Sequence, residues 1–232
     1  MPSRVAGLGQ HAGVRRVFAL VLLGVLAAGC GGLDAAAMVD PGTSPVTAEV
    51  GDLRVLRHRD DPTAGDRWID VLHADPTVFE RTGSFREEGS RTAEDGEPAD
   101  VRLLHEARAP GRTLVVRMDC RGCGPDGVPD TAPEDTRLLV WELVAGEGGD
   151  LALGASALRA GEVADVEVGD HVVVVEPDDR FDRNVLPTDS VLRLVATHAA
   201  PRLDVYAVVG EGRGGAVYGP AGELTYPVRA TG

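Results

Sequence analysis

The chain is predicted to be all-β, an antiparallel β-sandwich of jelly-roll or immunoglobulin-like arrangement, and three features of the sequence predict it. From Asp52 onward, short apolar or alternating runs recur. Gly, Pro and Asp punctuate them, and no segment sustains a helical period. Counting the runs gives roughly nine to eleven strands at the spacing of a sandwich.

In chain order, Leu53 to Leu56 and Trp68 to Leu72 are the first strands. Glu80 to Asp100 is charged and poor in apolar residues, so a mobile surface loop is expected there. Thr113 to Cys120 alternates cleanly. Leu114, Val116, Met118 and Cys120 take one face, and Arg117 and Asp119 mark the other as the more solvated. Arg137 to Val144 is apolar enough for a central strand covered on both sides. Helix is conceivable only around Ala155 to Ala160. Ala164 to Val168 and His171 to Val175 flank Gly169-Asp170, whose leading glycine suits a two-residue type II′ turn, so a hairpin is expected. Val191 to Ala196 and Leu203 to Val209 form a second pair around Pro201. Leu224 to Val228 is a last strand, which Pro227 assigns to an edge.

The N-terminus carries a different signal. Arg4, Arg15 and Arg16 precede the 12 apolar or small residues from Val17 to Ala28, and Leu26-Ala27-Ala28-Gly29-Cys30 follows. The arrangement resembles the signal peptide of a bacterial lipoprotein with its lipobox. Ala27 stands where the usual lipobox has leucine. The resemblance implies a diacylglyceryl thioether on Cys30, cleavage after Gly29, acylation of the new amino terminus and a place on the outer face of the cell membrane. Cleavage after Ala28 by ordinary signal peptidase is the alternative. An uncleaved anchor is disfavoured, because the apolar run is well short of the roughly 20 residues that span a bilayer. The domain plan is therefore a signal peptide over residues 1–29, a lipidated cysteine and flexible linker over 30–50, and a β-sandwich over 51–232. Gly31 to Thr47, with Pro41, Gly42 and Pro45 and few large apolar side chains, supplies the tether.

Composition bounds the partners. All 23 basic residues are arginine, and Ile69, Asn184 and Gln10 are the sole residues of their types, the signature of a high-GC, actinobacterium-like coding sequence. The net charge of −14 becomes −17 once Arg4, Arg15 and Arg16 leave with the signal. Such a surface repels nucleic acid and anionic lipid and favours cationic partners.

Cys120-Arg121-Gly122-Cys123 is the sharpest feature of the domain itself. Outside the cytoplasm the pair can be a disulfide, a redox couple or half a metal site. Gly124, Pro125, Gly127 and Pro129 forbid the helix that activates a thioredoxin-like thiol. No second pair completes a zinc set, and His105 and His171 are isolated. A structural disulfide is favoured. Beside it, Asp126-Gly127-Val128-Pro129-Asp130, continuing to Glu134 and Asp135, resembles half of a thrombospondin type 3 repeat, which implies calcium. The acids such a repeat places before Gly127 are mostly missing, so Asp126, Asp130, Glu134 and Asp135 are weak metal candidates. Glu176, Asp178, Asp179 and Asp182 form a second acidic loop. No resident cofactor is expected, with calcium or zinc as the ions to test.

Catalytic motifs are missing. There is no G-x-S-x-G elbow, His105-Glu106 lacks a second histidine, and no glycine-rich phosphate loop opens a helix. Trp68, Trp141, Tyr206, Tyr218 and Tyr226 are the aromatics a sugar platform would use. Trp141 reads as core, while Tyr206 is free to face outward. The reading is a membrane-anchored, extracytoplasmic binding or interaction module without catalysis of its own, engaging a protein or envelope ligand. A metal or redox accessory protein using the CxxC pair and a hydrolase with an unrecognised site are the alternatives.

Overall fold

The computed structural model describes residues 38–42, 45–88, 98–124, 127–175, 190–219 and 224–232. Fourteen strands and one short 3-10 turn account for the regular structure. No α-helix occurs among the described residues. The chain is all-β as expected, and the sandwich packing of sheet on sheet is extended, with four sheets among the described residues.

Sheet I has the order β1 (Met38–Val39), β3 (Leu53–Asp60), β6 (Ala99–Ala107), β5 (Phe79–Glu88). Sheet II runs β2 (Val46–Ala48), β8 (Leu138–Ala145), β7 (Gly111–Asp119), β4 (Trp68–Leu72). Sheet III runs β10 (His171–Val175), β12 (Arg202–Val208), β11 (Leu192–Ala199). Sheet IV runs β13 (Gly212–Tyr218), β14 (Leu224–Thr231), β9 (Ala164–Glu167). Most pairs are antiparallel, but β1 with β3, β2 with β8 and β9 with β14 are parallel.

The sheets stack in the order I, II, III, IV, and three apolar layers fill the gaps. Leu56, Phe79 and Leu103 of sheet I meet Trp141 and Leu143 of sheet II. Leu114, Val116, Met118 and Val140 of sheet II meet Val173, Leu203 and Val205 of sheet III. Val172, Tyr206 and Val208 of sheet III meet Tyr218, Tyr226 and Val228 of sheet IV. A strand's side chains alternate between faces, so sheets II and III feed two layers each. Val140 points one way and Trp141 the other, as do Val205 and Tyr206.

Strand β7 therefore has two covered faces. Arg117 and Asp119 do not mark solvent: Asp119 is buried, and Arg117 lies under sheet I. Tyr206 likewise faces inward, because sheet IV covers it.

Other expectations change where distant strands choose the pairing. Met38–Val39 and Val46–Ala48, in the stretch read as linker, add β1 and β2 to sheets I and II and bury Val39, Val46 and Ala48. Residues 80–88, read as the start of a loop, belong to β5, which pairs with β6. The charges of β5 are tied by Arg81 to Asp70 at 2.8 Å and Arg86 to Asp60 at 2.7 Å. Residues 155–160 are non-helical, and Ala157 bridges to Val173.

β9 and β10 are strands, but not a hairpin. β9 pairs with β14 and β10 with β12, so Gly169-Asp170 is a corner between sheets IV and III. The Gly169 N–H donates to the Val208 carbonyl at 2.8 Å, and the Val208 N–H donates to that of Asp170 at 2.9 Å. The pair β11 and β12 forms around Pro201 as expected. β14 is central rather than an edge. Pro227 is tolerated because β9 begins its pairing one residue later, at Val228. On the other flank Pro227 faces Gly215, where a Cβ would lie 2.6 Å from the Tyr226 carbonyl oxygen.

Candidate functional site

A cleft of about 710 Å3 opens where the start of β4, the turn after β7 and the corner between β9 and β10 converge. Ile69, Leu158, Val166 and Val172 give it apolar walls. Arg67, Asp70, Ser156, Asp165, Asp170 and His171 supply its polar groups.

One wall is the CxxC turn. Cys120 and Cys123 are bonded to each other across 5.1 Å between their Cα atoms. The Cys120 N–H is anchored on the Arg67 carbonyl at 2.7 Å, which ties the turn to the start of β4. Asp66 and Asp119 reinforce this end. Asp66 binds Arg121 directly and Arg137 at 3.1 Å, and Asp119 reaches Arg137 at 3.3 Å. Arg137 also lies over the Trp68 ring, 5.0 Å from its centroid.

The opposite wall reaches this turn through His171. Its Nε2–H donates to the Gly127 carbonyl at 3.0 Å, which fixes the tautomer, since a carbonyl only accepts. Burial lowers the His171 pKa, opposed by this bond and by Asp170. Gly127 has φ +70°, and a Cβ there would fall 2.7 Å from the imidazole Cε1. Only glycine lets the loop approach the ring so closely.

Beneath the cleft lies a half-buried ionic cluster beside the buried His58 and His105, between sheets I and II, that sequence reading does not assemble. Arg117 Nε contacts Asp70 Oδ1 at 2.7 Å, and Arg81 donates to Asp70 Oδ2 at 2.8 Å. Burial alone would raise the Asp70 pKa, but the two guanidinium groups outweigh it and hold the carboxyl below its ordinary value. Arg117 also donates to the Trp68 carbonyl at 3.1 Å and contacts His58 Nε2. The His58 Nδ1–H donates to the Arg59 carbonyl at 3.2 Å, so Nε2 is free to accept from Arg117. Burial is the main cause that lowers the His58 pKa, and it pushes that of His105 down to about 4, with Arg81 adding to the effect. A second buried network sits between sheets III and IV. Tyr218 donates to Asp204 at 2.9 Å, and the Tyr206 and Tyr218 hydroxyls lie 2.7 Å apart. The Tyr218 pKa is raised by burial, with Tyr206 and Asp204 adding to it. The signal both clusters leave in the sequence is a charged or hydroxylated residue at an inward position of a strand.

The sequence candidates are thus only partly brought together. Cys120, Cys123 and His171 meet at the cleft. Asp130, Glu134 and Asp135 are exposed, and Asp130 folds back so that a Cβ on Gly122 would lie 2.8 Å from its Oδ2. Among the described residues, no three His, Cys, Asp or Glu side chains converge as a metal site requires. Cys30, Asp126 and the acidic loop from Glu176 to Asp182 lie outside the described residues. No helix among those described is long and apolar enough to cross a membrane. Of the aromatics, Trp141, Tyr206, Tyr218 and Tyr226 are buried and Trp68 is half-buried.

No protein-family model matches the chain, and no curated protein does. Among solved structures it is similar to the cysteine protease inhibitor EhICP2 from Entamoeba histolytica, with 15% identity and a TM-score of 0.36 over 48% of this chain and 96% of that one. It is also similar to the solution structure of Amebosin, with 10% identity and a TM-score of 0.35 over 48% of this chain and 98% of the other. The functional reading therefore rests on this chain's own residues.

Proposed function

We propose that the protein is a binding module of the bacterial cell envelope, held on the outer face of the cell membrane by a lipid on Cys30, and that it binds its partner in the cleft beside Cys120–Cys123. The observation that carries the reading is the cleft itself, a large concave site with apolar walls and a few convergent polar groups. Several of its lining side chains are already partnered within the protein. The sulfurs are bonded to each other, His171 is fixed on the Gly127 carbonyl, and Asp70 is shared by Arg81 and Arg117. That arrangement suits recognition rather than attack on a substrate. The chain's net charge of −14 favours a partner that is neutral or cationic, and disfavours nucleic acid.

The test has two arms. For the anchor, cells expressing the full chain are labelled with radioactive palmitate and fractionated. Label in the membrane fraction that disappears with Cys30→Ser supports the lipid, whereas unlabelled protein, or a variant that still sediments with membranes, overturns it. For the cleft, the full chain in mild detergent is titrated against washed envelope fragments. Saturable binding weakened at least tenfold by Asp165→Trp, which fills the cleft from its rim, supports the site. Unsaturable binding, or binding equal in the variant, removes it.

A further inference from the structure

Strand β9 forms one rim of the cleft, and we infer that its outer edge takes up an extended peptide strand in which basic and apolar residues alternate. The inference rests on the cleft being the binding site and names the class of partner that fits it. β9 closes sheet IV on one side, with no strand beyond it among the described residues. The Val168 N–H donates to the Thr231 carbonyl, and the register pairs Thr231 with Glu167. In a parallel ladder the main-chain groups of successive residues point alternately toward and away from the neighbour. Ala164 and Val166 therefore direct theirs at β14, while Asp165 and Glu167 direct theirs outward. Glu167 is already closed by Asp170, whose carboxylate accepts from the Glu167 N–H at 2.9 Å and whose own N–H donates to the Glu167 carbonyl at 3.0 Å. Asp165 is left with one donor and one acceptor aimed out of the sheet beside the cleft, which is the pairing a short added strand needs.

The side chains set the partner's pattern. Asp165 and Glu167 are exposed on one face of β9, where Asp165 also meets Arg229 of β14 at 3.2 Å, and Ala164 and Val166 pack on the other against the apolar layer of sheets III and IV. Val163 and Val168, at the two ends of the strand, are 56% and 40% exposed, two of the few large apolar side chains left in water. Cross-strand neighbours on one face meet directly. An added strand therefore presents arginine or lysine beside Asp165 and Glu167, and apolar side chains at the positions between. The short outward run of β9 limits the contact to a few residues, so the affinity comes from the cleft and the edge together.

Fluorescence anisotropy with the full chain in mild detergent tests this. The probes are a labelled hexapeptide alternating valine and arginine, its valine and glutamate counterpart, and the basic peptide N-methylated on alternate amides. Asp165→Pro deletes the outward N–H together with the carboxylate that meets Arg229, while leaving the main-chain bonds to β14, Asp165→Asn removes the carboxylate alone as its control, and the double variant Asp165→Arg, Glu167→Arg reverses the local charge. The basic peptide is expected to bind at least tenfold more tightly than the acidic one, to lose tenfold on N-methylation or with Asp165→Pro, and to cede its advantage to the acidic peptide in the charge-reversed variant. Equal binding of the methylated and unmethylated peptides would overturn the edge pairing and leave only the attraction of an acidic surface, and this arm does not depend on any variant folding. Envelope binding that is sensitive to Asp165→Trp but accompanied by no peptide binding removes the strand partner and keeps the cleft. Loss of both removes the cleft as well.

Discussion

His105 gives the sharpest energetic prediction. It is 2% exposed, between sheets I and II, with Arg81 close by and Asp70 as that arginine's carboxylate partner. Burial pushes its pKa down to about 4, whereas the unfolded chain restores the ordinary value of 6.5. The folded state thus keeps the ring neutral over a range in which the unfolded state binds a proton. The stability this contributes is complete above pH 6.5, declines by about 1.4 kcal/mol per pH unit below it, and is gone below about pH 4, a total of about 3 kcal/mol. His105→Leu removes that contribution and no other titrating group. Urea unfolding of both proteins, followed by the fluorescence of Trp68 and Trp141, is compared at pH 7, 6, 5 and 4. The difference in unfolding free energy between wild type and variant is expected to shift by about 3 kcal/mol against the wild type between pH 7 and pH 4. A difference that stays constant with pH would show that His105 titrates normally in the folded protein and would refute the argument from burial.

Three further outcomes are expected from the packing of the cores and the cleft. Cys120→Ser opens a four-residue loop and is expected to lower stability by roughly 2 kcal/mol on the chain-entropy estimate, read as a thermal midpoint that reductant depresses in the wild type but not in the variant. Tyr218→Phe removes the hydroxyl that donates to buried Asp204 and is expected to cost about 1–3 kcal/mol in urea unfolding, since a buried carboxylate then loses a donor. A neutral outcome would mean that water reaches Asp204. Gly127→Ala strains a left-handed backbone and drives a methyl group into His171, so it is expected to destabilise by about 1–3 kcal/mol and to move the His171 imidazole resonances in NMR. Unmoved resonances would show that the loop yields rather than the ring.

Local patterns were enough to read the strands, and distant partners decided the rest. The alternation of Leu114, Val116 and Met118 correctly identifies a core face of β7. Periodicity shows that Arg117 and Asp119 share the opposite face but carries no information about what covers it. Sheet I covers Arg117, whose charge Asp70 of β4 meets, while Asp119 is paired by Arg121 and Arg137 from the flanking turns. Gly169-Asp170 has hairpin chemistry, yet the corner is held by Val208 and Thr231, which lie dozens of residues away in sequence. Pro227 obeys its rule in substance, since it sits just beyond the reach of β9, although its strand is central. At the site, Cys120 and Cys123 were legible as a pair from their spacing alone. His171 joins them only through the sheet-changing corner, and the pairing of Asp70 with Arg81 and Arg117 depends on three strands from two sheets.

The two-sided burial of sheets II and III also determines how the chain can be divided. A fragment ending after β8 would turn Leu114, Val116, Met118 and Val140 to water, and one beginning at β9 would do the same with Val173, Leu203 and Val205. Each such side chain is worth about 1.5–3 kcal/mol when buried, so either cut forfeits an amount comparable to a domain's whole margin of stability. Neither half is a spare part that evolution or a protease could set loose. The two halves settle as one unit, and the cleft, which draws on residues from Arg67 to Val172, exists only when both are in place.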